Sequence, residues 1–508
     1  MPSRGISKTS WVNQRISKKF QFEILLLGMQ KQDFQKITDF LWELPKSFRQ
    51  DMKVPARVYV SEKMLDDVFR DRSLSQLVNI CCLPGILKYG IAMPDCHEGY
   101  ASPIGGVAAI SEEEGIISPG MQGYDINCGM KLLKSNYKEK EIKSHLDKLA
   151  TEIQKEVPSG LGKGRKMKLD YSSLDKLLEG GIKYLVGKGY AEKEDMENCE
   201  AKGRMEWADA STVSSRAKER GRDQVGTLGS GNHFLEIQKV EEILDEKAAA
   251  IFGIFKDQVV IMIHCGSRGL GHQIATDYIR EFMGLMGKYK IRVPDREFAC
   301  VPFNSPDGER AFAASACAAN YAWANRQMIA HFIRNTWKSV LGEKDSDLVS
   351  LYDVAHNIIK KEKYNIDGKE TDVIMHRKGA TRAFPAGHPE IPEKYREVGQ
   401  PVLIPGSMGT ASYILVGQKT GEEAFYSTCH GAGRTMSRHE ATRKISGEEV
   451  VKDLEKKGII CKCWSLRGIA EEAPLAYKNI DEVVGVVHNA GLSKKVAKLV
   501  PLAVLKGE

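Results

Sequence analysis

Five histidines of this chain sit in glycine-bearing surroundings. His97 lies in MPDCHEGY at 93–100, His233 in GSGNH at 229–233, and His264 opens HCGSRGLGH at 264–272. His356 follows YDVA at 352–355, and His430 lies in TCHGAGR at 428–434. Alone, a histidine at a strand end is well explained as a polar cap. Five in like settings point to metal ligation or to acid–base and nucleophilic chemistry. Glycine removes side-chain bulk, so backbone N–H groups can approach an anion or a metal site closely. Asp125 and Cys128 stand three apart in GYDINCG at 123–129, so one turn can aim both at a common point. A carboxylate and a thiolate with neutral imidazoles form a mixed O/S/N donor set, and a thiolate can bridge two metals. One cysteine with several histidines suits zinc first; manganese, iron and cobalt remain open.

The stretch around His430 differs in character. Gly431 and Gly433 flank Ala432, and Arg434 and Arg438 follow at i+4 and i+8. A helix starting here would stack both guanidiniums on one face and make a phosphate site. A histidine at its mouth can attack phosphorus, or can only donate a hydrogen bond to an anion; the residues leave both open. The loop PGSMGTAS at 405–412 suits the lining of a nucleotide. There is no GxxxxGK[ST] loop, no Rossmann glycine pattern and no KxDG-type lysine, so any nucleoside triphosphate is held by another architecture.

These residues need strands that end near one another. Apolar runs at 258–263, 348–354, 372–375 and 400–404 read as buried strands, each leading into a polar, glycine-bearing stretch, and 54–61 reads as a strand too. In layered α/β proteins ligands sit where strands end and loops begin. Segments 137–157 and 173–198 read as helices, with a basic glycine loop, SGLGKGRKMK at 159–168, between them. Residues 33–44 read as a helix that Pro45 ends. Residues 1–52 are assigned to an N-terminal extension and 53–508 to one catalytic domain.

With 508 residues, 42% apolar and 28% charged, the chain has a globular composition and needs no staples. Its net charge of +7 permits an acidic partner without demanding one. The apolar run at 24–29 is too short for a signal core or a membrane span. A soluble, cytoplasmic protein is expected. The eleven cysteines lack paired CxxC spacing and read as free thiols.

Taken together, these segments resemble the RtcB-type RNA ligases. The resemblance is carried by PDCHEGY at 94–100, GYDINCG at 123–129, GTLGSGNH at 226–233, HCGSRGLGH at 264–272 and DVAHN at 353–357. It continues through HRKGATR at 376–382, PGSMG at 405–409, CHGAGR at 429–434 and EAP…YK at 472–478, in the family's order. It implies an α+β fold: a single large domain on mixed sheets with surrounding helices and a deep metal-containing cleft. It implies two Mn2+ ions bridged by Cys128, with His264 and His356 completing one site and Asp125 and His233 the other. His430 would be the guanylylated nucleophile, and Asp95 would sit near the incoming 5′-hydroxyl. Asn232, Glu236, Asn357, Ser407, Gly431, Gly433 and Lys506 would contact GTP, with Glu236 and Lys506 at the guanine, and Arg434 and Arg438 would hold phosphates. The implied partners are RNA ends, GTP and an archease-like activator, for a monomer that binds no membrane. Ala101 stands where the family has glycine, and Met121-Gln122 where it more often has glycine and a small aliphatic residue.

The implied reaction joins an RNA 3′-phosphate, or a 2′,3′-cyclic phosphate opened first, to a 5′-hydroxyl through an RNA 3′-phosphate–GMP intermediate, as in tRNA splicing or RNA repair. The rivals are another metal-dependent phosphoryl-transfer enzyme, such as a phosphodiesterase or a DNA-end ligase, and a non-catalytic RNA-binding subunit. Retention of His430 speaks against pure hydrolysis, which needs no covalent nucleotide. Retention of every proposed metal ligand speaks against decay. Lys506→Ala is expected to weaken GTP use far more than metal binding; a GTP dependence equal to the wild type's would contradict that assignment.

Overall fold

The computed structural model describes residues 28–160, 167–342 and 347–507. Residues 161–166 of the basic glycine loop and most of the apolar run at 24–29 lie outside them. The fold is mixed α+β, built on two large sheets. One orders its strands Gln35–Thr38, Leu41–Leu44, Ala56–Tyr59, Ile86–His97, Ile104–Ser111, Lys369–Lys378, Asn357–Ile366. The other runs Val349–Ala355, Gly129–Lys138, Gln258–Cys265, Phe234–Ile243, Ser493–Lys506, Ser412–Gly417, Pro401–Ile404, with Ile460–Cys463 parallel against Ser493–Lys506. The first sheet is antiparallel except where Ala56–Tyr59 meets Ile86–His97.

The four apolar runs and the 54–61 segment all form strands. Gln258–Cys265 is buried along its whole length, which explains why it reads as a continuous apolar run rather than an alternating one. The expected helix over 33–44 does not form. Two strands stand there, Gln35–Thr38 and Leu41–Leu44, and the second pairs with Ala56–Tyr59 in register Leu41↔Tyr59 and Trp42↔Val58. Leu41, Trp42 and Leu44 gain more from burial on the sheet than a short helix would return. The first sheet therefore continues across residue 52. The segments expected as helices are helical in pieces: Glu139–Ile142 and Leu146–Glu156, then Tyr171–Gly180, Ile182–Val186 and Lys193–Glu197. Gly181, at φ +54, separates two of those pieces.

One helix, Pro306–Leu341, passes through the centre of the molecule. Ser305 caps it by accepting from the Gly308 N–H, Pro306 takes the first turn where its missing N–H costs nothing, and Asp307 and Glu309 complement the positive helix end. Alanines at 311, 314, 316, 318, 319, 322 and 324 are buried, so neighbouring backbone can approach closely on several sides. Its polar side chains bind the loops that carry the histidines. Arg326 donates to the carbonyls of Asn127 and Cys265, each at 2.7 Å, and pairs with Asp353 at 2.8 Å, both side chains fully buried. Asn325 accepts from the Gly226 N–H at 2.7 Å and donates to the Gly266 carbonyl at 3.2 Å. None of the described helices is long and apolar enough to cross a membrane.

Removing one partner of a buried ion pair leaves the other charge uncompensated. Arg326→Met is expected to cost about 3–5 kcal/mol in urea unfolding; a loss below about 1 kcal/mol, the worth of an exposed pair, would contradict the role given to this side chain.

Candidate metal and nucleotide site

The strand ends converge on one cleft. Cys128 precedes Gly129–Lys138, His233 precedes Phe234–Ile243, and His264 is the penultimate residue of Gln258–Cys265. His356 separates Val349–Ala355 from Asn357–Ile366, and His430 follows Ser427–Cys429. Register does the rest: Gly129 pairs with Cys265 on one side and Ala355 on the other, and Phe234 pairs with His264. Cys128, His264, His233 and His356 are thereby brought side by side. Asp125 joins them through a tight turn, with the Cys128 N–H on the Asp125 carbonyl at 3.0 Å and Asn127 at φ +53. Gly266 is required here, because a Cβ would lie 2.3 Å from the Asp125 carboxylate.

Two donor sets share one sulfur: Cys128, His264 and His356, and Asp125, Cys128 and His233. Cys128 Sγ lies 3.2 Å from His264 Nε2 and 3.5 Å from His233 Nε2. The Nε2 atoms of His264 and His356 are 3.3 Å apart, and His233 Nε2 is 2.8 Å from Asp125 Oδ2. Donors around one tetrahedral ion at ordinary bond lengths stand about 3.3–3.6 Å from each other; Cys128, His264, His356 and His233 stand at or near that spacing and fit a metal, while Asp125 and His233 stand at hydrogen-bond distance and would part to admit one. The outer nitrogens fit as well. His233 Nδ1 lies 3.0 Å from the Leu228 carbonyl and His264 Nδ1 3.1 Å from the Asn232 carbonyl, which leaves both Nε2 lone pairs facing the sulfur. Burial, then the neighbouring cationic groups, holds His264 and His356 well below the usual histidine value, in the neutral form that ligates. Burial and the nearby Asp125 push the Cys128 thiol up to about 12, so its thiolate needs a cation beside it. Burial opposes charge on His233, but Cys265, Asp125 and Cys128 outweigh it and draw its pKa upward. A proton there or a cation among the donors serves the same electrostatic purpose.

His430 stands against this cluster, its ring centroid 5.0 Å from that of His356. The expected helix start is absent. A loop runs from His430 to Ser437, and the helix Arg438–Lys444 begins only where Ser437 caps it. The reason is Gly433: at φ +71 it packs on residue 95 so closely that a Cβ would lie 2.2 Å from the Asp95 carbonyl oxygen. Asp95 is fully buried beneath His430. Its Oδ2 accepts from the N–H groups of His430 at 2.8 Å and Gly431 at 3.2 Å and lies 2.6 Å from His430 Nδ1. That last contact is close but does not meet the geometry of an aligned hydrogen bond. Burial would raise the Asp95 carboxyl; the His430 ring, its backbone N–H and Lys478 prevail and hold it below the usual range.

The cleft above them has a volume of about 880 Å3. Asn232, Asn357, Ser407, Gly431, Gly433, Arg434, Arg438 and Lys506 all line it. Asp95 and Glu236 do not. Glu236 is buried behind the wall with its carboxylate on Gln238 at 2.6 Å, and burial raises it to about 7 against the pull of Gln238 and Lys506. Both arginines already have a partner that the sequence reading passed over. Buried Glu472 accepts from Arg434 at 3.1 Å, from Arg438 at 2.7 Å and from the Tyr477 hydroxyl.

A family model described as tRNA-splicing ligase RtcB matches residues 76–507. The chain belongs to the RtcB family. The tRNA-splicing ligase RtcB of Thermococcus kodakarensis is 50% identical to it over 476 residues, covering 93% of this chain and 98% of that protein. The Archaeoglobus fulgidus tRNA-splicing ligase RtcB is 51% identical over 476 residues with the same coverage, and the RNA-splicing ligase RtcB of Mycobacterium tuberculosis is 49% identical over 435 residues, all of that protein and 85% of this chain.

Within this RtcB chain the cleft recruits residues that site prediction left aside. His97 lines the wall, with Nδ1 2.9 Å from the Asp95 carbonyl and a pKa lowered by burial to about 4. Its place in 94–100 was the available signal. Lys478 stands in the 472–478 segment but was given no role there; it donates to the carbonyls of Pro94 and Cys96 at 3.0 and 2.6 Å and fixes the segment that carries Asp95. Ala101, at the position where glycine was expected, adopts the left-handed conformation that glycine favours, at φ +59. Cys128→Ala is expected to remove bound metal from both donor sets at once, read by metal analysis of the reconstituted protein; a variant that keeps a full complement of ions would contradict the sharing.

Proposed function

We propose that this chain is an RNA ligase that joins a 3′-phosphate end to a 5′-hydroxyl end, using GTP through a covalent His430–GMP. One observation carries the reading beyond family membership: a histidine whose ring centroid is 5.0 Å from that of His356, with a buried carboxylate 2.6 Å from its Nδ1, opens into a cleft lined by two arginines. Asp95 engages Nδ1 and leaves Nε2 as the nucleophilic atom. Manganese is the ion proposed for the two donor sets; when bound, it would neutralise phosphate oxygens and stabilise the entering and leaving oxygens of an in-line displacement.

In the first step His430 Nε2 forms a bond to the α-phosphorus of GTP, and pyrophosphate departs. Arg434 and Arg438, turned from Glu472 toward the phosphates, hold them. Asn232, Asn357 and Ser407 line the nucleotide, and Lys506, with Glu236 behind it, closes the guanine end. In the second step a 3′-phosphate oxygen of the RNA takes the guanylyl group and frees His430. In the third the 5′-hydroxyl oxygen bonds to the RNA phosphorus, and GMP leaves with the electrons of the broken anhydride. His97, neutral and with Nδ1 turned to the Asp95 carbonyl, offers Nε2 as an acceptor for the hydroxyl proton. A 2′,3′-cyclic phosphate is opened by water to the 3′-phosphate before the second step. Broken or spliced tRNA-like ends in the cytoplasm are the proposed substrates, with an archease-like protein as activator.

Incubating the protein with manganese and GTP labelled at the α-phosphate, without RNA, is expected to leave label on the denatured chain. Label should vanish in His430→Ala and on prior chelation. An unlabelled wild type, with metal content and activator verified, would sink the GTP-ligase reading.

A further inference from the structure

Three of the motif segments supply a ring that the joining chemistry does not use. Tyr100 ends the 94–100 segment, Tyr124 stands between Gly123 and Asp125, and His272 ends the 264–272 segment. The fold assembles them into a ladder. The centroids of Tyr100 and Tyr124 are 5.4 Å apart at 53°, and Tyr124 lies 5.0 Å from His272 in a stacked arrangement at 26°. Tyr100 and Tyr124 line the cleft that holds His430, while His272 is exposed at the surface. The ladder therefore leads from the cleft wall outward, starting beside the metal ligand Asp125. None of its rings belongs to the nucleotide set. Burial and the charge of Arg220 lower the His272 pKa, which keeps its ring uncharged and its faces suited to stacking.

Three rings in contact with one another, left partly exposed along a polar cleft, offer faces and edges to flat ligands. Nucleobases are such ligands, and proteins that hold single strands stack successive bases on aromatic side chains regardless of sequence. A polynucleotide whose end reacts at His430 must leave the cleft along some wall. We propose that Tyr100, Tyr124 and His272 form the platform on which the bases of the RNA strand stack as it leaves the cleft. This rests on the RNA-joining reading above.

The test uses the full chain, manganese, GTP and a short single-stranded RNA carrying a 3′-phosphate, a 5′-hydroxyl and 2-aminopurine near one end. Tyr124→Ala is expected to raise the KM for RNA about tenfold, the order expected for one lost stacked base. The maximal joining rate should change little, and labelling of His430, read in parallel, reports that Asp125 is still in place. Tyr124→Trp should restore KM, and His272→Ala should raise it by a smaller factor. An unchanged KM in both alanine variants overturns the platform. So does a fall in His430 labelling that accounts for the joining defect, which would make Tyr124 a support for Asp125. Absence of label in the wild type would count against the joining reading instead. The platform is then decided without GTP: the wild type should quench 2-aminopurine on binding and Tyr124→Ala should not, and equal quenching by the two overturns it.

Discussion

The cleft depends on four donor atoms crowded around one buried sulfur. Cys128 Sγ has imidazole nitrogens at 3.2 and 3.5 Å, and one of those imidazoles is 2.8 Å from a carboxylate. Such a group cannot be held by apolar packing, because burial disfavours every charged form it contains. It is held instead by a second layer of hydrogen bonds. The carbonyls of Leu228 and Asn232 turn two imidazoles, and Arg326 and Asn325 on the central helix fasten the loops on either side of Cys128 and His264. The sheet supplies position and the helix supplies orientation. Both are needed for ligand atoms that must be placed to a few tenths of an ångström.

The nucleotide side obeys a related constraint. Arg434 and Arg438 are kept from repelling each other by Glu472, and Tyr477 completes that carboxylate's bonds. Any phosphate entering the cleft competes with Glu472 for the same guanidiniums. Arginine in a preorganised fork can exchange one oxyanion for another with little rearrangement, which suits the triphosphate binding and pyrophosphate release of the proposed reaction.

How much of this was legible in the sequence differs from element to element. Residue type and glycine context singled out the histidines with Asp125 and Cys128, and the family resemblance narrowed them to Asp125, Cys128, His233, His264 and His356, which the fold brings together as two overlapping groups able to hold a metal. The buried strand Gln258–Cys265 was legible from its unbroken apolar run. Residues 35–44 were not, because Leu41–Leu44 is held between Gln35–Thr38 and Ala56–Tyr59 by pairings that helical periodicity does not reveal. The helix expected from His430 onward failed for a long-range reason too, since the loop follows the surface of Asp95, more than 300 positions earlier in the chain. Glu472 and Lys478 stood in a recognised segment, but their roles were hidden for the same reason: each acts on a residue that only the fold brings near it.

The central claim is that one thiolate serves both donor sets, and loading the protein with Co2+ tests it most directly. Sulfur bound to cobalt gives a charge-transfer absorption that oxygen and nitrogen donors do not. The account predicts that this absorption keeps changing from the first equivalent of metal to the second, because each ion contacts Cys128 Sγ. Absorption that is complete at one equivalent, with a second ion bound and adding nothing, would contradict it.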